Sequence, residues 1–252
     1  MNRMTGFVDT LLSLAIYLGM GLTTLLSIKL LKSKCNTCKN IVEYVDLTYD
    51  LHNALPLFLG RARVFLSIAP VQVRSELLYL LNILKEIRPR RILEIGTAKG
   101  GTLFCFTRVA SEDAVIISVD LPRGPFGGGY PPLRIPLYRL FALQNQRIFL
   151  IRGDSHKMET LNKVEKILNG ETLDFLFIDG DHTYDGVKKD FEMYSRLVKK
   201  GGIIAFHDIV EHPHETGCEV SKFWNEIKVN YKHAEIVNNW NQKWAGIGVL
   251  YV

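Results

Sequence analysis

Cysteine is scarce in this sequence, with four in 252 residues. No disulfide framework can hold a chain of this length on so few, and a reducing compartment is expected. Cys35 and Cys38 form a single C-x-x-C, but neither a second pair nor a spaced histidine pair accompanies it, which argues against a structural zinc site. No internal repeat or low-complexity segment is present, which excludes a repeat architecture. Charge of one sign is also in short supply. The formal net charge is only +5, and no basic stripe with interleaved aromatics is visible, so nucleic acid is not an expected partner. The G-x-G-x-x-G dinucleotide fingerprint is missing as well, because Ala98 stands where its second glycine belongs.

What is present suits one sizeable core. Hydrophobic residues make up 47% of the chain, enough for one principal domain with an N-terminal appendage. The appendage opens with "TLLSLAIYLGMGLTTLLSI", Thr10 to Ile28, a charge-free stretch just long enough to cross a bilayer as a helix. A membrane span is the leading expectation, with a helix lying on a membrane or packed in an oligomer as the alternatives. Lys29, Lys32, Lys34 and Lys39 follow it and outnumber Arg3 before it, so the positive-inside rule places the larger part in the cytoplasm. The expected division is residues 1–39 as anchor and basic flank, 40–72 as a helical linker region, and 73–252 as the main domain. Within the linker, Pro56 and Pro70 are expected to break short helices.

From Val73 onward, helical and strand patterns alternate. "VQVRSELLYLLNILKEIRP" spaces Val73, Leu77, Leu80, Leu81 and Leu84 along one helical face and stops at Pro89. Strands follow at "RILEIG", "VIISVD", "RIFLIRGD", "LDFLFIDGD", "GGIIAFHD" and "GIGVLYV", with helices between them. This predicts an α/β fold with a doubly wound, mostly parallel, Rossmann-like sheet. Ligands bind such sheets at the carboxyl ends of the strands, where this sequence concentrates its polar residues. The first strand ends in Glu94, Gly96, Gly100 and Gly101, a glycine turn into a helix start. Asp120 ends the second strand about twenty residues later, as expected of an acid accepting hydrogen bonds from ribose hydroxyls. Asp154 and Ser155 end the third, Asp179 the fourth, and His207 and Asp208 the fifth. Asp181, Thr183 and Asp185 read as helix-start residues.

In this order, "EIGTAKGG", "SVD", "GDSH", "FIDGDHTYDGV" and "GGIIAFHDI" resemble the class I S-adenosylmethionine-dependent methyltransferases. The branch with cephalosporin-hydroxylase-like proteins and macrolide-sugar O-methyltransferases is the nearest, with a more distant likeness to catechol O-methyltransferase. The resemblance implies S-adenosylmethionine as cofactor, held by Glu94, Gly96, Thr97, Gly100, Asp120, Asp154, Ser155 and Asp179. It also implies a divalent metal, magnesium or manganese, on Asp179, His207 and Asp208, with Asp179 and His182 as the catalytic pair and His182 as base. A histidine at position 207 departs from the acid or amide of that family and softens the ligand set. The implied reaction is methylation of a hydroxyl on a sugar or on another small or lipid-linked acceptor. A non-catalytic, membrane-anchored binding module that kept the cofactor fold is the alternative.

The insertion "LPRGPFGGGYPPLRIPLYRLFALQNQ" reads as the acceptor-selecting loop, with Arg123, Tyr130, Arg134 and Tyr138 as contacts for a polar or anionic group. An arm of a homo-oligomer is the other reading of the same segment. His212, His214 and Glu215 stand near the exit of the fifth strand, where a solvated loop is expected, with reach toward the metal as the alternative.

Overall fold

A computed structural model of the chain describes residues 24–26, 28–53 and 67–252. The strands are β1 Arg91–Ile95, β2 Val115–Asp120, β3 Arg147–Arg152, β4 Leu173–Ile178, β5 Val198–His207, β6 Lys232–Ile236 and β7 Ile247–Tyr251. The helices named here are α1 Ile41–Asn53, α2 Arg74–Ile87, α3 Gly101–Val109, α4 Ile135–Arg139, α5 Met158–Leu168, α6 Tyr184–Tyr194 and α7 Val220–Ile227.

The apolar run of β4 is buried along its whole length. Alternate residues serve opposite faces, as the pleat requires. Phe175 and Phe177 join the core under α2 and α3, while Leu176 and Ile178 join the one beneath α5, α6 and α7; Leu173 also joins the latter, because the register shifts between Leu173 and Phe175. β1 divides in the same way, with Ile92 on the first face and Leu93 and Ile95 on the second. Both faces of the central strands are covered, which is why they lack a polar stripe.

The seven strands lie in the order β3-β2-β1-β4-β5-β7-β6. β1 to β5 pair in parallel, and β7 joins β5 antiparallel. The expected mostly parallel sheet is therefore observed. β6, which pairs antiparallel with β7, is an addition to the sequence reading. Its residues "KHAEI" carry charge and are half exposed, as befits a strand at a sheet edge, and they offer no apolar run to read. Strand order reverses between β1 and β4, so the crevice of this sheet opens above Gly96 and Asp179.

Leu77, Leu80, Leu81 and Leu84 of α2 are buried as one face, and the helix ends at Arg88 in a left-handed conformation before Pro89. Residues 28–35 are helical. Leu31 is buried in the core, with Ile28, Leu30, Cys35 and Cys38 packed against it.

The expectation of a membrane span over Thr10 to Ile28 is corrected here. Among the described residues, no helix is long and apolar enough to cross a membrane. At Ile28 to Leu31 the apolar face is spent on the protein's own core rather than on lipid. Residues 10–23 and 27 of that segment lie outside the described residues, as does Pro56. The membrane anchor and the topology inferred from the lysines lose their support together.

Candidate active site

The carboxyl ends of β1 to β4 and the loop after β2 enclose a cavity of about 270 Å³. Its walls include Gly96, Asp120, Asp154, Ser155 and Asp179, together with Phe126 from the insertion. The turn after β1 depends on glycine. Gly96 has φ +100°, and a Cβ there would lie 2.0 Å from the Asp179 carbonyl oxygen, so only a bare backbone lets β1 and β4 end side by side. Ala98 takes the left-handed φ of +42° at the position of the missing fingerprint glycine. In that conformation its N–H donates to Asp120 Oδ2 at 2.9 Å.

Asp120 is buried, and its second oxygen accepts the Gly129 N–H at 2.9 Å. Burial pushes its carboxyl up to about 6, although the backbone donors oppose the shift. A carboxylate has about four acceptor positions, so two remain for a ligand in the cavity.

Three residues expected to touch the cofactor stand behind the cavity rather than on its wall. Glu94 is fully buried, with one oxygen accepting from Thr102 and the other from the Ser118 hydroxyl at 2.6 Å. Thr97 is buried and shares a 2.5 Å hydrogen bond with Ser118. Gly100 caps α3 against the ring of Tyr138. These residues hold the turn in place.

Asp179 connects this cavity to a polar cluster. His207 Nδ1 lies 3.1 Å from Asp179 Oδ1 and 3.3 Å from Asp208 Oδ2. His182 Nδ1 lies 3.1 Å from Asp208 Oδ2, and its Nε2 lies 3.6 Å from Asp179 Oδ1. Asp179, His207 and Asp208 present ligand atoms within 4.8 Å of one another, so the structure brings together all three residues expected at a metal. Burial alone would lower the His207 imidazole, but Asp208 and Asp179 outweigh it and hold it well above its ordinary value. Asp208 shows the reverse balance, because the charge on His207 overcomes burial and pulls its carboxyl well below the usual range. Two buried polar atoms in this region have no protein partner, His207 Nε2 and Gln72 Oε1.

Gln72 is a functional candidate that the sequence did not announce. It donates from Nε2 to Asp179 Oδ2 at 2.7 Å, and its own carbonyl accepts the Tyr49 hydroxyl at 2.6 Å. The linker region therefore reaches the site through Tyr49 and Gln72. Glu76 is a second such residue. It is buried and accepts from the backbone N–H groups of Asn238 and Gly246, fixing the loop whose Ala245 N–H donates to Asp208. Nothing in a lone Gln or Glu on an amphipathic helix signals these partners.

The insertion differs from its expected role. Tyr130, Arg134 and Tyr138 are buried rather than presented to an acceptor. Tyr138 donates its hydroxyl to the Ala98 carbonyl at 2.9 Å, and Arg134 donates to the carbonyls of Ser67 and Lys99. They brace the glycine turn. Phe126 is the residue of this loop that faces the chemistry, stacked on the His182 ring at 4.7 Å between centroids. On the other side of β4, Thr183 is the N-cap of α6 as expected, accepting the Gly186 N–H at 3.1 Å.

Residues 93–209 match the family described as "Methyltransferase domain". An uncharacterized protein of Sinorhizobium fredii is 31% identical over 144 residues, 56% of this chain and 15% of that protein. Tapetum-specific methyltransferase 1 of Arabidopsis thaliana is 30% identical over 134 residues, 52% of each. The chain thus spans about half or less of the length of these relatives. Among solved structures, the O-methyltransferase TomG from Streptomyces achromogenes, in complex with S-adenosylmethionine, superposes with a TM-score of 0.57 at 15% identity, over 85% of this chain and 91% of that one. The domain match over residues 93–209, the strand order and the likeness to TomG make this chain similar to the S-adenosylmethionine-dependent methyltransferases in that segment and in its fold.

Proposed function

We propose that this chain methylates a hydroxyl oxygen of a small acceptor such as a sugar, using S-adenosylmethionine and a divalent cation. The observation that carries this reading is the double position of Asp179, which lines the cavity and belongs to the Asp179, His207 and Asp208 donor set. The cavity suits a nucleoside sulfonium. Asp120 offers two acceptor positions to ribose hydroxyls, and Asp154 and Ser155 stand on the wall where a base edge fits. The donor set suits a cation, since two carboxylates and an imidazole converge beside buried His207 Nε2 and Gln72 Oε1, both without a protein partner. Asp179, His207 and Asp208 would hold it, and when bound it supplies positive charge for the oxygen that attacks the methyl group.

His182 is placed to take the proton of that oxygen. Asp208 at Nδ1 orients the ring by accepting its N–H, which leaves the Nε2 lone pair as the acceptor. Phe126 stacked on the ring prevents it from turning away. Asp179 has a steering role and not a base role, because Gln72 and His207 already engage its oxygens. The lipid-linked acceptor is withdrawn with the membrane span on which it rested. The features that hinted at a non-catalytic module are compatible with this reading, since His207 lies beside Asp179 and Tyr49 of the linker region holds the Gln72 carbonyl.

The test is calorimetric titration with S-adenosylmethionine, with and without magnesium or manganese, followed by S-adenosylhomocysteine release from a panel of hydroxyl acceptors. Asp179→Asn is expected to abolish metal-dependent release while cofactor affinity stays within about threefold, because Asp120 and the glycine turn remain. Absence of cofactor binding under every condition overturns the reading.

A further inference from the structure

Asp208 faces three imidazoles. His182 Nδ1 lies 3.1 Å from Oδ2, His207 Nδ1 3.3 Å from Oδ2, and His212 Nε2 3.1 Å from Oδ1, while the Ala245 N–H donates to Oδ1 at 3.1 Å. A neutral imidazole has one N–H and one lone pair, and a lone pair aimed at a carboxylate repels it. His182 has Asp208 Oδ2 at 3.1 Å from Nδ1 and Asp179 Oδ1 at 3.6 Å from Nε2. A cation among these groups would be attracted by both carboxylates. Asp208 is also held at φ +64°, a left-handed conformation that costs a non-glycine residue energy and persists only where its surroundings impose it.

Asp208 also belongs to a second cluster: ligand atoms of His182, Asp208 and Cys218 lie within 4.8 Å of one another, and His212 Nε2 lies 3.1 Å from Asp208 Oδ1. The arrangement is stitched together by backbone. Glu219 N–H donates to the His182 carbonyl at 2.8 Å, and the Cys218 N–H to Thr216 Oγ1 at 3.2 Å. The loop that carries Cys218 is thereby tied to the loop that carries His182.

We infer that His182, Asp208 and Cys218 form a second cation site, selective for a thiophilic divalent metal such as zinc, whose occupation removes His182 from its role as base. A thiolate with an imidazole and a carboxylate suits zinc or cobalt, whereas magnesium prefers oxygen alone. Binding releases the thiol proton of Cys218 to solvent and uses a ring nitrogen of His182 as a metal ligand. The inference rests on the proposed methyltransferase chemistry only for its consequence. The site itself stands on the three ligands.

The experiment is a cobalt titration of the full chain, followed by zinc. We expect a thiolate-to-cobalt charge-transfer band that saturates at one equivalent and disappears when zinc displaces cobalt. The band should be lost in Cys218→Ser and retained in Asp179→Asn and in the double variant of Cys35 and Cys38. Zinc affinity should fall on the order of 10- to 100-fold in Cys218→Ser. Imidazole nitrogen NMR should show the His182 ring shifting on zinc addition in the wild type and not in Cys218→Ser, while calorimetry with S-adenosylmethionine shows both chains binding cofactor alike. A band that survives Cys218→Ser, or no band at all, overturns the site. A band that depends on Cys218 while His182 stays unshifted overturns its link to the base. Both readouts need no acceptor, so failure to find turnover leaves them decisive.

Discussion

Asp120 shows how one carboxylate can be both structural and receptive. Its oxygens take the Ala98 and Gly129 N–H groups, joining the turn after β1 to the insertion, and its remaining acceptor positions face the cavity. Because burial pushes this carboxyl to about 6, the ionised form is lost just below neutrality. The protonated form accepts less well, so affinity for S-adenosylmethionine should rise as pH increases through about 6 and then level off. Asp120→Asn should weaken binding by about 1 to 3 kcal/mol above that pH and remove the dependence. Calorimetry from about pH 5 to about pH 8 checks both, and a wild-type profile that stays flat removes Asp120 from the ribose.

At the scale of elements, the stretch between α1 and α2 matters more to the site than its sequence suggests. α1 brings Tyr49 to the Gln72 carbonyl, and the Gln72 amide then fixes one oxygen of Asp179 at the end of β4. Gln72→Ala frees that oxygen to rotate and also deletes an unpartnered acceptor beside it. Metal affinity should fall on the order of tenfold, the size expected when a group that orients a ligand is lost. Cofactor affinity should change little. Metal-ion titration of the variant reads the first effect, and unchanged affinity would make Gln72 only a packing residue. The insertion acts by the same logic. Tyr138 and Arg134 hold the glycine turn from behind, leaving Phe126 to face His182.

For the whole molecule, the buried Glu94 ties global stability to pH. It lies between β1, β2 and α3, inside the hydroxyls of Thr102 and Ser118, so titrating it as a free group requires unfolding. Burial raises its carboxyl from 4.5 to about 8, even with both hydroxyls opposing the shift. Between those values the folded chain keeps a proton that the unfolded chain has released. Stability from this group is therefore fully present below about 4.5 and declines as pH rises toward about 8. Glu94→Gln should remove this part of the slope. Urea unfolding of both chains across that window checks it, and parallel wild-type and variant slopes would show that Glu94 is already ionised when folded.

The sequence alone determined the architecture and the sheet edge at which its polar strand-end residues gather. Continuous apolar strands separated by helical periods allow few other folds, and a parallel sheet gathers its carboxyl ends at one edge, so Asp120, Asp154, Asp179, His207 and Asp208 were placeable as strand ends. Thr183 was readable as a cap because capping is local. Tertiary structure alone decided which side chains face the cavity. Glu94, Thr97 and Gly100 belong to the same turn as Gly96 but stand behind the wall, and Tyr130, Arg134 and Tyr138 point inward although their types suit a surface contact. β6 has no apolar signature, being an edge. The contact of Gln72 with Asp179 spans 107 positions, and that of Glu76 with Gly246 spans 170. Periodicity reports how a residue sits within its own element, whereas these roles are set by packing between elements, and no local pattern encodes a partner so far along the chain.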